Sequence, residues 1–243
     1  MVEHKFISWD VRGIRTRFKN KQLEQVLENN ADSISYQQVK ADFEQLPKEL
    51  QEIDDYTCYF ASNEPPKTLG VGTYTKEKPV SVKKYFKTPD DLTKGRVLNL
   101  VFKDYEIYNV LVPSDKKDKK EFMNLLIEAV AEKKDKKIII LGNFNIAHKE
   151  VDVNDLAKLS SQEDRDLLDK LMDLGFKDSY RLLDDSSDSY SYWSSKSALA
   201  SNNGLRFDYF FVSESLVDSV SAVSILKDID GSDHVPIELV IDL

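Results

Sequence analysis

Short segments rich in Val, Ile, Tyr and Phe recur along the whole chain, and no other feature restricts its fold as strongly. KFISW, DSISY, YTCYF, VGTYT, VSVKKYF, VLNLVF, EIYNVLV, KIIIL, FDYFFV, VSAVSIL and PIELVI are set apart by Gly, Pro, Asp or Asn. That composition and punctuation belong to β-strands. Helical spacing is rarer. KNKQLEQVLENN sets Leu23, Val26 and Leu27 on one face, and KKEFMNLLIEAVAEKK does the same with Phe122, Leu125, Leu126 and Val130. SSQEDRDLLDKLMDLGF offers Ser160 or Ser161 as an N-cap, acids in its first turn and Gly175 as a stop. Roughly ten strands with few helices is too strand-heavy for a doubly wound sheet and predicts two packed sheets flanked by helices. No repeat or long linker divides the 243 residues, so a single domain over 1–243 is expected. The Ser-rich stretch Asp184–Gly204 is the one long irregular segment, a length usual in functional or mobile loops.

One strand raises a chemical question. Lys136–Asp152 reads KKIIILGNFNIAHKEVD, an apolar run that delivers Asn143 and Asn145 from its C-terminal end. A hydrolytic site wants a carboxylate there. Both side chains are neutral amides, which cannot take a proton near neutral pH.

Charge and cysteine content narrow the setting. The net charge of −9 argues against strong non-specific binding to nucleic acid, although one face of an acidic protein can still be basic. The runs DKKDKK (Asp115–Lys120) and EKKDKK (Glu132–Lys137) are interleaved with acids and read as solvated helix ends. Cys58 is the single cysteine, which excludes an intrachain disulfide framework and fits a reducing compartment. No run of about 18 apolar residues is present, and MVEHKFISWD enters a strand-like segment with no apolar leader. These features predict a cytoplasmic protein, a monomer, with no membrane partner.

Nine segments, taken in order, carry a resemblance. ISWDVRGIRT, ADSISYQQVK, LGVGTYTK, KGRVL, YNVLVPS, LGNFNIAHKEVD, DSYR, YSYWSSKSALASNNGLRFDYFFVS and GSDHVPIEL resemble the successive motifs of the exonuclease III type of apurinic/apyrimidinic (AP) endonuclease. That family lies within the endonuclease/exonuclease/phosphatase superfamily. The resemblance implies a four-layer α-β-β-α sandwich of two mixed sheets flanked by helices, with the active site at one sheet edge. It also implies Mg²⁺-dependent hydrolysis of DNA phosphodiesters, as in DNA repair.

Carried over residue by residue, the resemblance divides the site. Asp233 and His234 match the family's phosphate-gripping pair, Asp208 the carboxylate that orients the histidine, and Asn145 the asparagine that contacts phosphate or water. A carboxylate behind His234 would favour its charged form. The ionising half is replaced. Gln38 stands for the metal-binding glutamate, Asn143 for the water-activating aspartate, Leu111 for a tyrosine and Ser114 for an asparagine. Asp10 and Arg12 also depart from the family pattern. In the substrate-recognition segment Tyr192 and Trp193 remain, Leu205 and Phe207 replace other types, and Arg181, Lys196 and Arg206 are the cations left. Removing a general base costs about 10²–10⁴ in rate. The expectation is therefore a pseudo-nuclease that binds nucleic acid, DNA rather than RNA, or a protein partner. Mg²⁺ or Mn²⁺ at Asp10, Gln38 and Asp233 would be weakly held or absent. Two alternatives stay open: an active divalent-metal-dependent exonuclease/AP endonuclease with an altered ligand set, and a protein-interaction module without nucleic-acid affinity.

Overall fold

Period-two alternation along the strands sorts their side chains into three apolar layers. The computed structural model describes residues 2–63, 68–84, 86, 91–133 and 135–243. Its strands, in chain order, are β1 (Glu3–Asp10), β2 (Ser33–Gln37), β3 (Thr57–Ala61), β4 (Val71–Thr75), β5 (Ser81–Lys83) and β6 (Val97–Val101). There follow β7 (Glu106–Leu111), β8 (Ile138–Asn143), β9 (Phe176–Asp178), β10 (Asp208–Ser213), β11 (Val220–Ile225) and β12 (Ile237–Asp242). They form two six-stranded sheets, ordered β11-β12-β1-β2-β4-β3 and β5-β6-β7-β8-β10-β9. Both are mixed: β1 pairs with β2, and β7 with β8, in parallel, among otherwise antiparallel neighbours.

Each strand therefore serves two cores. Phe6, Ile107, Leu141, Phe210 and Leu239 meet between the sheets. Ile7, Trp9, Ile34 and Tyr36 turn outward to pack against Ile14 of α1 (Ile14–Lys19), Val26 of α2 (Glu24–Leu27) and Leu50 of α3 (Lys48–Gln51). On the other sheet, Val110, Ile140 and Phe211 pack against Phe122, Leu126 and Val130 of α4 (Lys116–Ala131). Leu167, Leu168 and Leu171 of α5 (Gln162–Asp173) close the same layer. The result is the four-layer α/β sandwich that the resemblance implied. Caps fix the two long helices, since Asp115 accepts hydrogen bonds from the Lys117 and Asp118 amides and Ser161 from that of Asp164.

Sequence and structure differ in detail. β9 was not foreseen, because three residues directly after a helix stop carry no readable period. Of the segment Lys19–Asn30 only Glu24–Leu27 is a helix, with α1 ending at Lys19, and Met123 rather than half-buried Leu125 completes the buried face of α4. The Ser-rich stretch contains α6's neighbour in sequence, a short helix α7 (Lys196–Ala200) that follows α6 (Ser179–Leu183), and its Tyr192 bridges both Leu205 and His234. Tyr85, Lys87 and Lys134, part of the expected strand and lysine run, lie outside the described residues. Among the described residues no helix is long and apolar enough to cross a membrane.

One glycine governs how β8 delivers its polar end. Gly142 has φ +134°, and a Cβ there would lie 2.0 Å from the Val110 carbonyl oxygen of β7. Only glycine allows both this conformation and this approach. Gly142→Ala is expected to lower stability by about 3 kcal/mol or more. Urea unfolding would check this, and an unchanged midpoint would mean that β7 and β8 do not approach so closely.

Candidate functional site

The same alternation that fills the inter-sheet core brings polar side chains to one end of it. Ser8 and Asp10 of β1, Gln37 of β2, Asn109 of β7 and Asn143 of β8 are all buried there. The Asn109 amide nitrogen donates to Gly72 O at 3.0 Å, and its oxygen accepts from Gln37 Nε2 at 2.9 Å. Gln37 Nε2 also donates to Ser8 Oγ at 3.1 Å. This knot ties the two sheets together and holds one geometry, with Gln37 Oε1 left without a partner among the described residues.

Asp10 sits at the centre of this polar cluster and is fully buried. Its Oδ2 accepts hydrogen bonds from Asn143 Nδ2 at 2.8 Å and Gln38 Nε2 at 2.9 Å. Its Oδ1 accepts from the Arg12 backbone amide at 3.2 Å and lies 4.0 Å from Arg12 Nε. Arg12 Nε in turn pairs with Asp233 Oδ1 at 3.0 Å. Arg12, Gln38 and Asn145 all adopt positive φ, at 48°, 50° and 51°. Such strain in bulky residues gathers where surrounding contacts dictate the backbone.

His234 and Asp208 stand beside this carboxylate, both buried. His234 Nδ1 pairs with Asp208 Oδ2 at 2.7 Å, which also accepts from Ser191 Oγ at 2.7 Å. Burial opposes a charged imidazole, but the fields of Asp208, Asp10 and Asp233 outweigh it and raise His234 to about 9. The same burial pushes the Asp208 carboxyl up, against the pull of His234 and Ser191. His234 Nε2 lies 3.9 Å from Asp10 Oδ2 and, among the described residues, has no hydrogen-bond partner. A cationic donor with a spare proton can hold an anion and cannot serve as a base near neutral pH.

The remaining candidate residues divide between cleft and core. Tyr192 packs on His234 with 4.8 Å between ring centroids and stacks on Phe207 at 5.2 Å, so these two half-buried rings form a wall of the cleft. Asn145 donates its amide nitrogen to Val112 O at 2.7 Å, and its backbone amide donates to Asn143 Oδ1 at 2.8 Å, fixing the turn after β8. Five of the expected positions lie in a core or a brace instead. Trp193 is buried with Tyr190 and Val235 against Gly204, and Leu205 packs with Ala147 and Val153. Leu111 is sealed into the inter-sheet core. Arg181 was expected to face a substrate, yet its Nη2 donates to Asp152 Oδ1 at 2.6 Å. Arg206, fully buried, joins Asp152 and Asp178 at 2.9 and 2.6 Å. These arginines brace the loops because buried carboxylates demand paired cations. Ser114 is exposed between β7 and α4.

Sequence reasoning missed three features. It saw Arg12 only as a departure from a pattern, not as the partner of Asp10 and Asp233. It passed over Ser191. It also passed over the run VRGIRTRFKNKQ, in which Arg12, Arg15, Arg17, Lys19 and Lys21 occur with no acid. Arg12, Arg15, Lys19 and Lys21 are exposed, and Arg12 reaches Asp233 of the site. A scan of charge by segment rather than by whole chain would have found it.

A divalent metal requires several anionic or carbonyl oxygens turned toward one point. Here three N–H donors already converge on Asp10, and a guanidinium holds Asp233. Among the described residues, no group of three or more His, Cys, Asp or Glu side chains could hold a metal ion. The residues do not fit a metal centre of this kind.

Comparison with known proteins adds independent findings. Residues 7–234 match the endonuclease/exonuclease/phosphatase family. The chain is 31% identical to an exodeoxyribonuclease of Bacillus subtilis, over 98% of this chain and 100% of that protein. It is 28% identical to the DNA repair nuclease APEX1 of Danio rerio, over 97% of this chain and 81% of that protein. Its fold is similar to an AP endonuclease from Archaeoglobus fulgidus, with a TM-score of 0.88 at 19% identity, covering 99% of this chain and 100% of that one. A 3' phosphatase from Neisseria bound to a product DNA hairpin gives a TM-score of 0.87 at 22% identity, again over 99% and 100%.

The imidazole also makes a prediction about pH. A folded-state value raised to about 9, against 6.5 unfolded, stabilises fully below 6.5 and fades as pH rises through 9. Unfolding free energy should fall by on the order of 3 kcal/mol between pH 6.5 and 9.5. His148 is shifted the other way, downward by burial despite Asp169, so its contribution lies at lower pH. Chemical denaturation across this range should show the fall in the wild type and little of it in Asp208→Asn. An equal fall in both would remove Asp208 as the cause.

Proposed function

Because the chain belongs to the endonuclease/exonuclease/phosphatase family, on its exonuclease III/AP endonuclease branch, we propose that it binds nucleic acid in the family cleft and has lost most of the family's hydrolysis. The observation that carries this reading is the pair of amides on Asp10: Asn143 and Gln38 donate to its Oδ2 at 2.8 and 2.9 Å. Family members generally depend on a divalent metal. Here the two groups that would supply charge and basicity are hydrogen-bond donors instead. What remains suits anion binding: the imidazolium of His234 on Asp208, the aromatic wall of Tyr192 and Phe207, and the basic run beginning at Arg12. Aromatic faces can stack a base or sugar, and clustered arginine and lysine neutralise phosphates. Relatives named for DNA favour DNA over RNA. Cys58 as the single cysteine supports a reducing, cytoplasmic setting.

The rival reading, an active phosphodiesterase with an altered ligand set, draws on Asp10, a carboxylate at the centre of the polar cluster. One comparison separates the two. Pure wild type and the Gln38→Glu/Asn143→Asp variant are incubated with an abasic-site duplex and Mg²⁺ or Mn²⁺. The expected outcome is nicking by the variant at least about 10²-fold faster than by wild type, since a general base alone is worth that much. Robust, metal-stimulated nicking by the wild type would overturn the binding-only reading. A salt-dependent gel shift of the uncut duplex should accompany it, and its absence would favour a protein partner instead.

A further inference from the structure

Arg12 sits where a charge is needed and where its own residue type is poorly suited. Its φ of 48° is left-handed, a conformation that asparagine and glycine enter far more readily than arginine. The bend is clamped onto the end of β2: Val11 N donates to Gln37 O at 3.1 Å and Gly13 N to Gln38 O at 2.8 Å. The Arg12 amide donates to Asp10 Oδ1, and Nε lies 3.0 Å from Asp233 Oδ1 and 4.0 Å from Asp10 Oδ1. The guanidinium is thus fixed between the two carboxylates that face the cleft centre. Its side chain is 38% exposed, and the contacts with both carboxylates run through Nε. Among the described residues no hydrogen bond from its two terminal nitrogens is present, and the half-open side chain leaves them within reach of solvent.

We propose that Arg12 is a tethered cation that takes the place of a divalent metal, so that this cleft receives a nucleic-acid phosphate with no metal present. The receptor half rests on the nucleic-acid reading above; the displacement of metal does not. A guanidinium offers planar, paired N–H donors that match a phosphate. Unlike Mg²⁺ it cannot be removed by a chelator, and unlike Mg²⁺ it brings no bound water to ionise. It offsets part of the negative charge of Asp10 and Asp233, which lowers the repulsion that an entering phosphate meets. It also occupies the space through which both carboxylates would otherwise share a metal ion. The same substitution therefore accounts for binding without metal and for the poor fit to metal.

Two measurements test this on the full chain. In the first, Mn²⁺ binding is followed by electron paramagnetic resonance with no DNA present. Wild type should show no specific site, whereas Arg12→Asn, which suits the left-handed bend, should bind Mn²⁺ at least tenfold more tightly through the freed carboxylates. Equal Mn²⁺ affinity in the two proteins would overturn the displacement. In the second, an abasic-analogue duplex is titrated by fluorescence anisotropy in EDTA and in Mg²⁺. Wild type should bind equally in both, and Arg12→Asn should bind about tenfold more weakly in EDTA, with a salt slope lower by about one. Wild-type binding lost in EDTA would overturn the metal-free receptor. No binding under either condition would instead sink the nucleic-acid reading, while the Mn²⁺ arm still decides the role of Arg12. Should Arg12→Asn fail to fold, Arg12→Gly, which suits the same left-handed bend, takes its place in both measurements with the same expected outcomes. Arg12→Lys, which keeps the charge without the fork, should recover part of the affinity and none of the Mn²⁺ site.

Discussion

A carboxylate buried between two sheets must have its charge answered, and the arrangement of donors around Asp10 sets the character of the cleft. Burying an isolated anion is costly enough that an unpaired group would sooner take up a proton. Asn143, Gln38 and the Arg12 amide supply hydrogen bonds, and Arg12 and His234 supply positive charge at 4.0 and 3.9 Å. In a metal-dependent relative a cation would do this work and the neighbours would be acids. Here the protein supplies both donors and cations from its own chain. On the reading proposed above, an amide in place of an acid goes with a guanidinium in place of a metal, because each would be unfavourable without the other. Amides without a cation would leave Asp10 and Asp233 underneutralised, and a cation beside two further carboxylates would leave little room for an incoming phosphate.

The frame that holds these groups is electrostatic as well as apolar. Arg206 is buried among Asp152, Asp178 and the ring of Tyr209, with Arg181 completing the set at Asp152. It anchors the strand entry at which Asp208 begins β10, and the Arg206 backbone amide donates to Asp152 O. Removing one member would leave a buried charge unpaired, at a cost of about 3–5 kcal/mol. Ser191 links this frame to the site, since its hydroxyl donates to Asp208 and accepts from the Phe207 and Asp208 amides. The Ser-rich segment is thus a folded support whose Tyr192 lies against His234.

What could be read from the sequence follows the range of the interactions. The strands were legible because alternation of β-branched and aromatic residues is local, and α5 because its cap and stop lie within one segment. Asp208 and His234 were legible through ordered motifs. Pairings between distant segments were not. Arg181 looked available for DNA because Asp152, its partner, lies in another motif, and Trp193 looked like a recognition residue because its cover, Gly204, bears no mark of that role. Arg12 was the hardest to see. Its partners Asp10 and Asp233 come from opposite ends of the chain, and only the antiparallel pairing of β1 with β12 brings those ends together.

The backbone indicates which of these replacements shape the cleft. Positive φ at Arg12, Gln38 and Asn145 places three left-handed residues around one carboxylate. Asparagine tolerates that conformation, but arginine and glutamine are strained by it. Surface drift alone would be expected to relax such positions toward Gly or Asn. Backbone hydrogen bonds between the two bends hold this conformation, and both side chains reach the same group, Asp10. That convergence is the geometric ground for treating Arg12 and Gln38 as one unit with Asp10.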